Sequence, residues 1–348
     1  MKPTDRYTSA LEAELRRRVP ASPSGPALLY SMLHYHLGWV DRDFRAVNVD
    51  GGKRIRPTIL LLATEAQGGV WEKALPAAAA VELLHNFTLI HDDIEDRDEF
   101  RRGRPTLWTI WGVAQAINAG DALYSLSYQS LLTLHEQGLP PNAIVTAVSH
   151  YTDAVLRITE GQCRDLSFET EPAVAEADYL TMIEGKTSAL LGMAAELGAI
   201  IAGAPEENST ALREFGEALG KAFQMYDDLL GLWGDPQVTG KPAGSDLLKG
   251  KKTLPILHGL QHSSAVRDLL LDPAFGATQV PLALSMLETV GSRAHTEACA
   301  QVFHRQALDA LERSGAKKTG DAATEAQRIS EAQAALEALA ERLVRRSK

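Results

Sequence analysis

Two apolar stretches of this chain each carry a pair of adjacent aspartates, and nothing else in the sequence constrains the fold as strongly. The first runs through Leu83, Leu84, Phe87, Leu89 and Ile90 straight into His91-Asp92-Asp93-Ile94-Glu95-Asp96. The second sets Gln224, Asp227 and Asp228 among Phe223, Met225, Tyr226, Leu229 and Leu230. On a helix, Asp92 and Asp96 are i and i+4, so both carboxylates leave one face, while Asp93 lies about 100° further round. His85 falls on the same stripe as Asp92, nearly two turns earlier. Like charges at this spacing destabilise an isolated helix. A lone DxxxD is ordinarily a solvated acidic face, but the apolar residues leading into this one make it no surface helix, and buried unpaired charge is expensive. Hard divalent cations convert the repulsion into binding. Two such helices, distant in sequence, are expected to face each other across a metal-filled cavity. Carboxylates neutralised by buried lysine or arginine are the structural alternative.

The remaining chain keeps the same three- and four-residue apolar spacing. Leu75 to Glu99, Gly112 to Glu136, Ile144 to Phe168, Tyr179 to Gly203, Thr210 to Leu232 and Thr324 to Arg346 all read as helices. Few segments have the alternation of a strand, and no composition shift marks a boundary. The expectation is one all-α domain over residues 1–348. With 45% hydrophobic residues the chain can bury a sizeable core, which excludes a disordered chain. A net charge of −10 argues against a general nucleic-acid-binding role. Only Cys163 and Cys299 are present, without metal-ligand spacing, so a reducing compartment is the default. The N-terminal stretch has no apolar signal region. The longest apolar run, Ala189 to Ala204, is broken by Glu196 and is short of the roughly 20 residues a bilayer needs. A cytoplasmic protein without membrane insertion is therefore expected. Trp39, His34 and His36 are read as core packing.

Basic clusters accompany the acids. Gly51-Gly52-Lys53-Arg54-Ile55-Arg56-Pro57 is a glycine turn, three cations and a proline at a helix start. Such a turn lets backbone N–H groups approach a phosphate. It is not a Walker A loop. Arg101-Arg102-Gly103-Arg104-Pro105-Thr106 follows the first acidic pair, and a loop from Gly240 and Lys241 to Lys249, Lys251 and Lys252 follows the second. Each run alone is more often a solvated face. Together, a basic loop after each acidic helix end suits a diphosphate shared between metal ions and side-chain cations.

These residues resemble the trans-polyprenyl diphosphate synthase family over a motif-bearing core of about 51–255. The motif GGKRxRP is intact at Gly51 to Pro57, DDxxD at Asp92, Asp93 and Asp96, and RRGxPT at Arg101 to Thr106. GQxxDL lies at Gly161 to Leu166, GKTxxL at Gly185 to Leu190, the second aspartate-rich region at Gln224 to Asp228, then GKPxGxDL, and KxTLP at Lys251 to Pro255. The resemblance implies the all-α isoprenoid synthase fold, a single helical bundle around a central cavity, usually in a homodimer. It implies that Lys53, Arg56, His85 and Arg102 bind the diphosphate of isopentenyl diphosphate. Arg101, Lys186, Thr187, Gln224, Lys241 and Lys251 would serve the allylic diphosphate. Asp92, Asp96 and Asp227 would hold Mg²⁺, three ions per site once substrate is bound, with Asp93 and Asp228 in support. Asp92, Asp96, Asp227 and Lys186 would carry catalysis. One departure stands out: Gly231 occupies the place of the last aspartate of the second motif, and whether Asp235 replaces it is open.

The implied reaction ionises an allylic diphosphate, with Lewis acids and cations stabilising the departing pyrophosphate. A dry apolar cavity then protects the carbocation from water. No side-chain base is evident; the resemblance implies that the released diphosphate takes the proton. Chain length is expected to be set below the first motif, at Phe87 and Thr88. On an ideal helix Thr88 lies within about 40° of Asp92 and Phe87 about 140° away, so Thr88 is the direct lining residue and Phe87 acts obliquely, or is an ordinary core aromatic. The expected product is C15 to C20, tilted towards geranylgeranyl diphosphate. A class I terpene cyclase on the same fold is the first rival, but it has no need of the isopentenyl diphosphate cations. A non-catalytic subunit of a heteromeric synthase is the second, but it would be expected to lose acidic ligands.

Overall fold

In the computed structural model the described residues are 5–21, 26–47, 49, 51–171, 173–236, 242–315 and 323–345. The helices are α1 (Asp5–Arg18), α2 (Ala27–His36), α3 (Ile55–Ala66), α4 (Leu75–Glu95), α5 (Leu107–Trp111), α6 (Val113–Leu132), α7 (Pro141–Phe168) and α8 (Glu176–Ile183). They continue with α9 (Ala189–Ala202), α10 (Glu206–Trp233), α11 (Ser245–Leu248), α12 (Leu254–His262), α13 (Ser264–Leu270), α14 (Val280–Thr289), α15 (Ser292–Arg313) and α16 (Ala323–Arg345). The only strands among the described residues are β1 (Phe100–Arg101) and β2 (Arg104–Pro105), so the all-α expectation holds. Among the described residues no helix is long and apolar enough to cross a membrane.

The chain divides into two compact units, residues 1–150, 196–209 and 316–335 in one, and residues 151–195, 210–315 and 336–348 in the other. In the first unit α4 packs on α1, α3 and α6. Its N-terminal half is a run of small buried residues, Ala77 to Ala80 and Val81, which allows close helix contact. Gly120 of α6 completes that contact: a Cβ there would lie 2.3 Å from His91 Nε2. His34 stacks edge-on against Trp39, and Trp39 is buried, as the sequence suggests.

The helix expected to reach Glu99 stops at Glu95. Arg97 is left-handed (φ 54), Asp98 N donates to Asp93 O at 3.0 Å and Arg97 N to Ile94 O. That is a Schellman closure with arginine where glycine is usual, so it carries a modest strain. The chain then makes the β1–β2 hairpin, with Phe100 opposite Pro105. Thr106 Oγ1 and Trp108 Nε1 both donate to Asp98 O at 3.0 Å and fix the base of the hairpin to α5.

In the second unit the single helix expected from Tyr179 to Gly203 is α8 and the start of α9 joined by a π-helical turn, Glu184–Ser188. Such turns commonly mark functional positions. Here it lies against α7 at a contact only glycine permits. A Cβ on Gly161 would lie 2.2 Å from Lys186 N, and one on Gly185 2.5 Å from Arg157 O. Phe168, Tyr179, Met225, Leu229 and Leu254 form the apolar cluster beneath the second aspartate pair.

Candidate active site

In the first unit, the end of α4 gives its three aspartates different environments. Asp92 and Asp96 are half-buried, whereas Asp93 is buried. Asp93 Oδ1 accepts from Arg101 Nε at 2.5 Å, which ties the acid to the hairpin. Burial pushes the Asp93 carboxyl up to about 6; Arg101 works against this, while Asp98 and Asp92 reinforce it. The inward turn of Asp93 follows from its place on the helix, well round from Asp92.

The cations gather around the Gly51–Gly52 turn, in an arrangement the sequence did not foretell. Arg54, left-handed at φ 47, is the residue before α3 and forms an ion pair with buried Glu82 on α4. Glu82 also accepts from Asn86 Nδ2 at 2.9 Å, so Arg54 is the cation that fastens this loop to α4. Arg102 at the hairpin tip donates to Gly51 O. A Cβ on Gly52 (φ 105) would lie 2.6 Å from Arg102 Nη2, and one on Gly51 2.5 Å from Arg54 Nη2. These glycines make room for guanidinium groups. Arg56 Nη1 lies 3.2 Å from His85 Nε2. Burial first, then Arg56, Arg102, Arg101 and His36, hold His85 well below the usual histidine range, so it is neutral at physiological pH. Lys53 is exposed on the same loop.

Phe87 and Thr88 go to different partners. The Phe87 ring meets His91 at 4.7 Å and Tyr124 of α6 at 5.1 Å, and Tyr124 continues to Tyr128 at 5.2 Å. Phe87 thus begins an aromatic row along the α4–α6 contact. Thr88 Oγ1 donates back to His85 O at 2.8 Å, which satisfies its hydroxyl within the helix.

In the second unit the π-helical turn presents Lys186 and Thr187 towards α7 and α10. Lys186 Nζ donates to Asp165 Oδ2 at 2.5 Å. Thr187 Oγ1 donates to Gln224 Oε1 at 2.8 Å, and Gln224 Nε2 to Asp228 Oδ1 at 3.0 Å. Asp228 Oδ2 accepts from Tyr179 OH at 2.6 Å and from Leu254 N at 3.3 Å. Asp228 is therefore buried and held on both oxygens. Burial pushes it up to about 7; the Tyr179 and Gln224 hydrogen bonds oppose the rise, and Asp246 and Asp227 add to it. Its neighbour Asp227 is exposed. Each aspartate pair therefore has one buried member, Asp93 or Asp228, and one that is more exposed, Asp92 or Asp227.

The gap left by Gly231 is filled from elsewhere in the chain. A Cβ on Gly231 would lie 2.0 Å from Asp246 Oδ2 and 2.6 Å from its Cγ, so the Asp246 carboxylate occupies that space. Asp235, the alternative left open by the sequence, is exposed beyond the end of α10. Asp246 belongs to the quoted GKPxGxDL element, and that was the available signal. Exposed Lys251 shares its turn, since Lys251 N donates to Asp246 O at 3.0 Å. Lys241 lies outside the described residues.

The aspartates expected to bind metal, Asp92 and Asp96 in the first unit and Asp227 in the second, bring only carboxylate oxygens. Oxygen donors of this kind suit a hard ion such as Mg²⁺ and not a soft one.

The polyprenyl synthetase family model matches residues 39–280. Among curated relatives, the (2E,6E)-farnesyl diphosphate synthase of Mycobacterium bovis is 43% identical over 292 residues, 82% of this chain and 80% of that protein. The geranylgeranyl diphosphate synthase of Mycobacterium tuberculosis is 41% identical over 288 residues, 81% of each chain. Among solved structures, a polyprenyl synthetase from Streptomyces coelicolor A3(2) superposes with a TM-score of 0.85 at 34% identity, covering 98% of both chains. A geranylgeranyl pyrophosphate synthase from Corynebacterium glutamicum, complexed with isoprenyl diphosphate and magnesium, gives 0.78 at 27% identity over 99% of this chain and 97% of that one.

Proposed function

Since the chain belongs to the polyprenyl synthetase family and is a prenyl diphosphate synthase, we propose that it condenses isopentenyl diphosphate with an allylic diphosphate, head to tail, to a C15–C20 prenyl diphosphate. The observation that carries this reading is the cationic cluster around Gly51 and Gly52. Arg102 over the glycine turn, Arg56 beside a neutral His85 and exposed Lys53 form a diphosphate site that a terpene cyclase has no use for. Arg56 and Arg102 supply fork-shaped donors to the isopentenyl diphosphate. A neutral His85 offers either a hydrogen bond or a lone pair without adding charge.

The allylic diphosphate falls to Arg101, Lys186, Thr187, Gln224, Lys241 and Lys251. Arg101 and Lys186 are preset by Asp93 and Asp165, and Thr187 and Gln224 by the chain of hydrogen bonds ending at Asp228. Preset donors need little reorganisation as charge grows on the leaving pyrophosphate. Asp92, Asp96 and Asp227 would hold Mg²⁺, three ions with substrate bound. When bound, these ions supply Lewis-acid stabilisation of the leaving group. Asp93 and Asp228 support from behind. The ligand-bound relative from Corynebacterium glutamicum is in keeping with this choice of metal.

The Phe87–Tyr124–Tyr128 row supports a short product, and geranylgeranyl diphosphate is the favoured length. The reading further takes residues 1–348 as one catalytic domain acting as a cytoplasmic homodimer. The purified chain with labelled isopentenyl diphosphate, Mg²⁺ and C5, C10 or C15 allylic primers should yield prenyl diphosphates that are C15–C20 by chromatography. A hydrocarbon formed from the allylic diphosphate alone, or no turnover, would refute the proposal.

A further inference from the structure

Away from the aspartate helices, the second unit brings a nitrogen, a sulfur and an oxygen donor to one point. His295 and Cys299 are i and i+4 on α15, and so share a face. Glu176, the first residue of α8, meets them there. His295 Nε2 lies 3.3 and 3.2 Å from the two Glu176 oxygens and 3.7 Å from Cys299 Sγ. One ligand atom from each residue lies within 4.8 Å of the others. A tetrahedral ion with donors at about 2.0–2.3 Å keeps its ligand atoms roughly 3.4–3.6 Å apart. The spacings about His295 match this within a few tenths of an ångström.

Hydrogen bonding alone serves the cluster poorly. The Nε2 atom has either one N–H or one lone pair, so it cannot donate to the carboxylate and accept from the thiol at once. A cation shared by all three satisfies both. The rest of the ring is already oriented: His258 stacks on it at 4.4 Å, and His258 Nδ1 is itself 3.0 Å from Ser292 Oγ. His295 and Glu176 are about one third exposed, at 33% and 36%, so a water can complete the coordination.

We propose that Glu176, His295 and Cys299 form a second metal site, separate from the aspartates, for a borderline-soft divalent cation of the zinc class. An N, S, O donor set selects Zn²⁺ or Co²⁺ over Mg²⁺. The bound ion would tie the first turn of α8 to α15. Tyr179, which clamps Asp228, stands on that same short helix, so the site steadies the presentation of the second aspartate pair.

The test uses the full chain carrying Cys163→Ser, in which Cys299 is the sole thiol, with excess Mg²⁺ to occupy carboxylate-only sites. Co²⁺ titration should give one equivalent with an intense sulfur-to-cobalt charge-transfer band, and one equivalent of Zn²⁺ should abolish it. The band should be absent in the Cys299→Ser and His295→Ala chains, and Glu176→Gln should weaken Co²⁺ binding about ten-fold. Zn²⁺ should raise the Tm of Cys163→Ser and leave that of Cys299→Ser unchanged. No sulfur band in Cys163→Ser, or a band that survives in His295→Ala, would overturn the site.

Discussion

Gly161→Ala and Gly231→Ala are the same chemical change on two helices, and the structure gives them opposite consequences. Each exchange gains roughly 0.5–1 kcal/mol of helix propensity. At 161 the new Cβ would sit 2.2 Å from Lys186 N and 2.7 Å from Gly185 C, which are backbone atoms of the π-helical turn. Neither atom can swing aside, so α7 must separate from that turn. Overpacking of this kind costs about 1–3 kcal/mol, occasionally more. The net expectation is a loss of about 1–2 kcal/mol, with Lys186 displaced and kcat reduced. At 231 the obstacle is the end of a side chain, Asp246 Oδ2 at 2.0 Å, which can rotate away. Stability should then stay within about 0.5 kcal/mol of the parent, as for substitutions that strain no backbone. The Asp246 carboxylate would leave its place behind the second aspartate pair. Losing an outer partner of a metal site typically costs 10–100-fold, so the Mg²⁺ concentration for half-maximal rate should rise roughly ten-fold. Urea unfolding and a Mg²⁺ titration of initial rates read the two effects separately. A parental urea midpoint for Gly161→Ala, or a parental Mg²⁺ dependence for Gly231→Ala, would refute the reasoning.

The other expectations are simpler. Arg102→Ala removes the guanidinium over Gly52, and a lost charge-assisted hydrogen bond is worth about 1.5–3 kcal/mol, so KM for isopentenyl diphosphate should rise ten-fold or more; an effect confined to the allylic substrate would contradict the assignment. Phe87→Ala opens the aromatic row and should lengthen the main product, so an unchanged product in a radiolabelled assay would show that Phe87 is ordinary core. Asp228 is raised in the folded state from 3.8 to about 7, so its stabilising contribution is complete below pH ~4 and is lost as pH climbs through 7. The stability difference between the parent and Asp228→Asn should therefore shift against the parent from pH 4 to 7, and a pH-independent difference in urea midpoints would count against it.

The long helices were legible because apolar residues at three- and four-residue spacing record a buried face. Their interruptions were not. The π-helical turn lies where Gly161 meets Gly185 across two elements, and single-segment periodicity is blind to that. The hairpin after α4 has two-residue strands, too short to show alternation. The aspartate pairs were visible, and the roughly 100° between neighbouring residues separates the two carboxylates of each pair, but which one turns inward was not legible. What Asp93 and Asp228 turn towards, Arg101 in one case and Tyr179 and Gln224 in the other, depends on tertiary contact. What the glycines of the first basic motif pack against was hidden for a similar reason. Sequence shows that a turn is permissive, whereas the guanidinium groups filling it come from Arg54 and from Arg102 on the hairpin.

The proposed function assigns Mg²⁺ binding to Asp92 and to Asp227 and makes both necessary for holding the allylic diphosphate. Calorimetric binding of a non-ionisable allylic thiolodiphosphate tests it most directly. The account predicts Mg²⁺-dependent binding that Asp92→Asn and Asp227→Asn each abolish, although the two aspartates lie on different helices. Binding that persists without Mg²⁺, or that survives intact in Asp227→Asn, would contradict it.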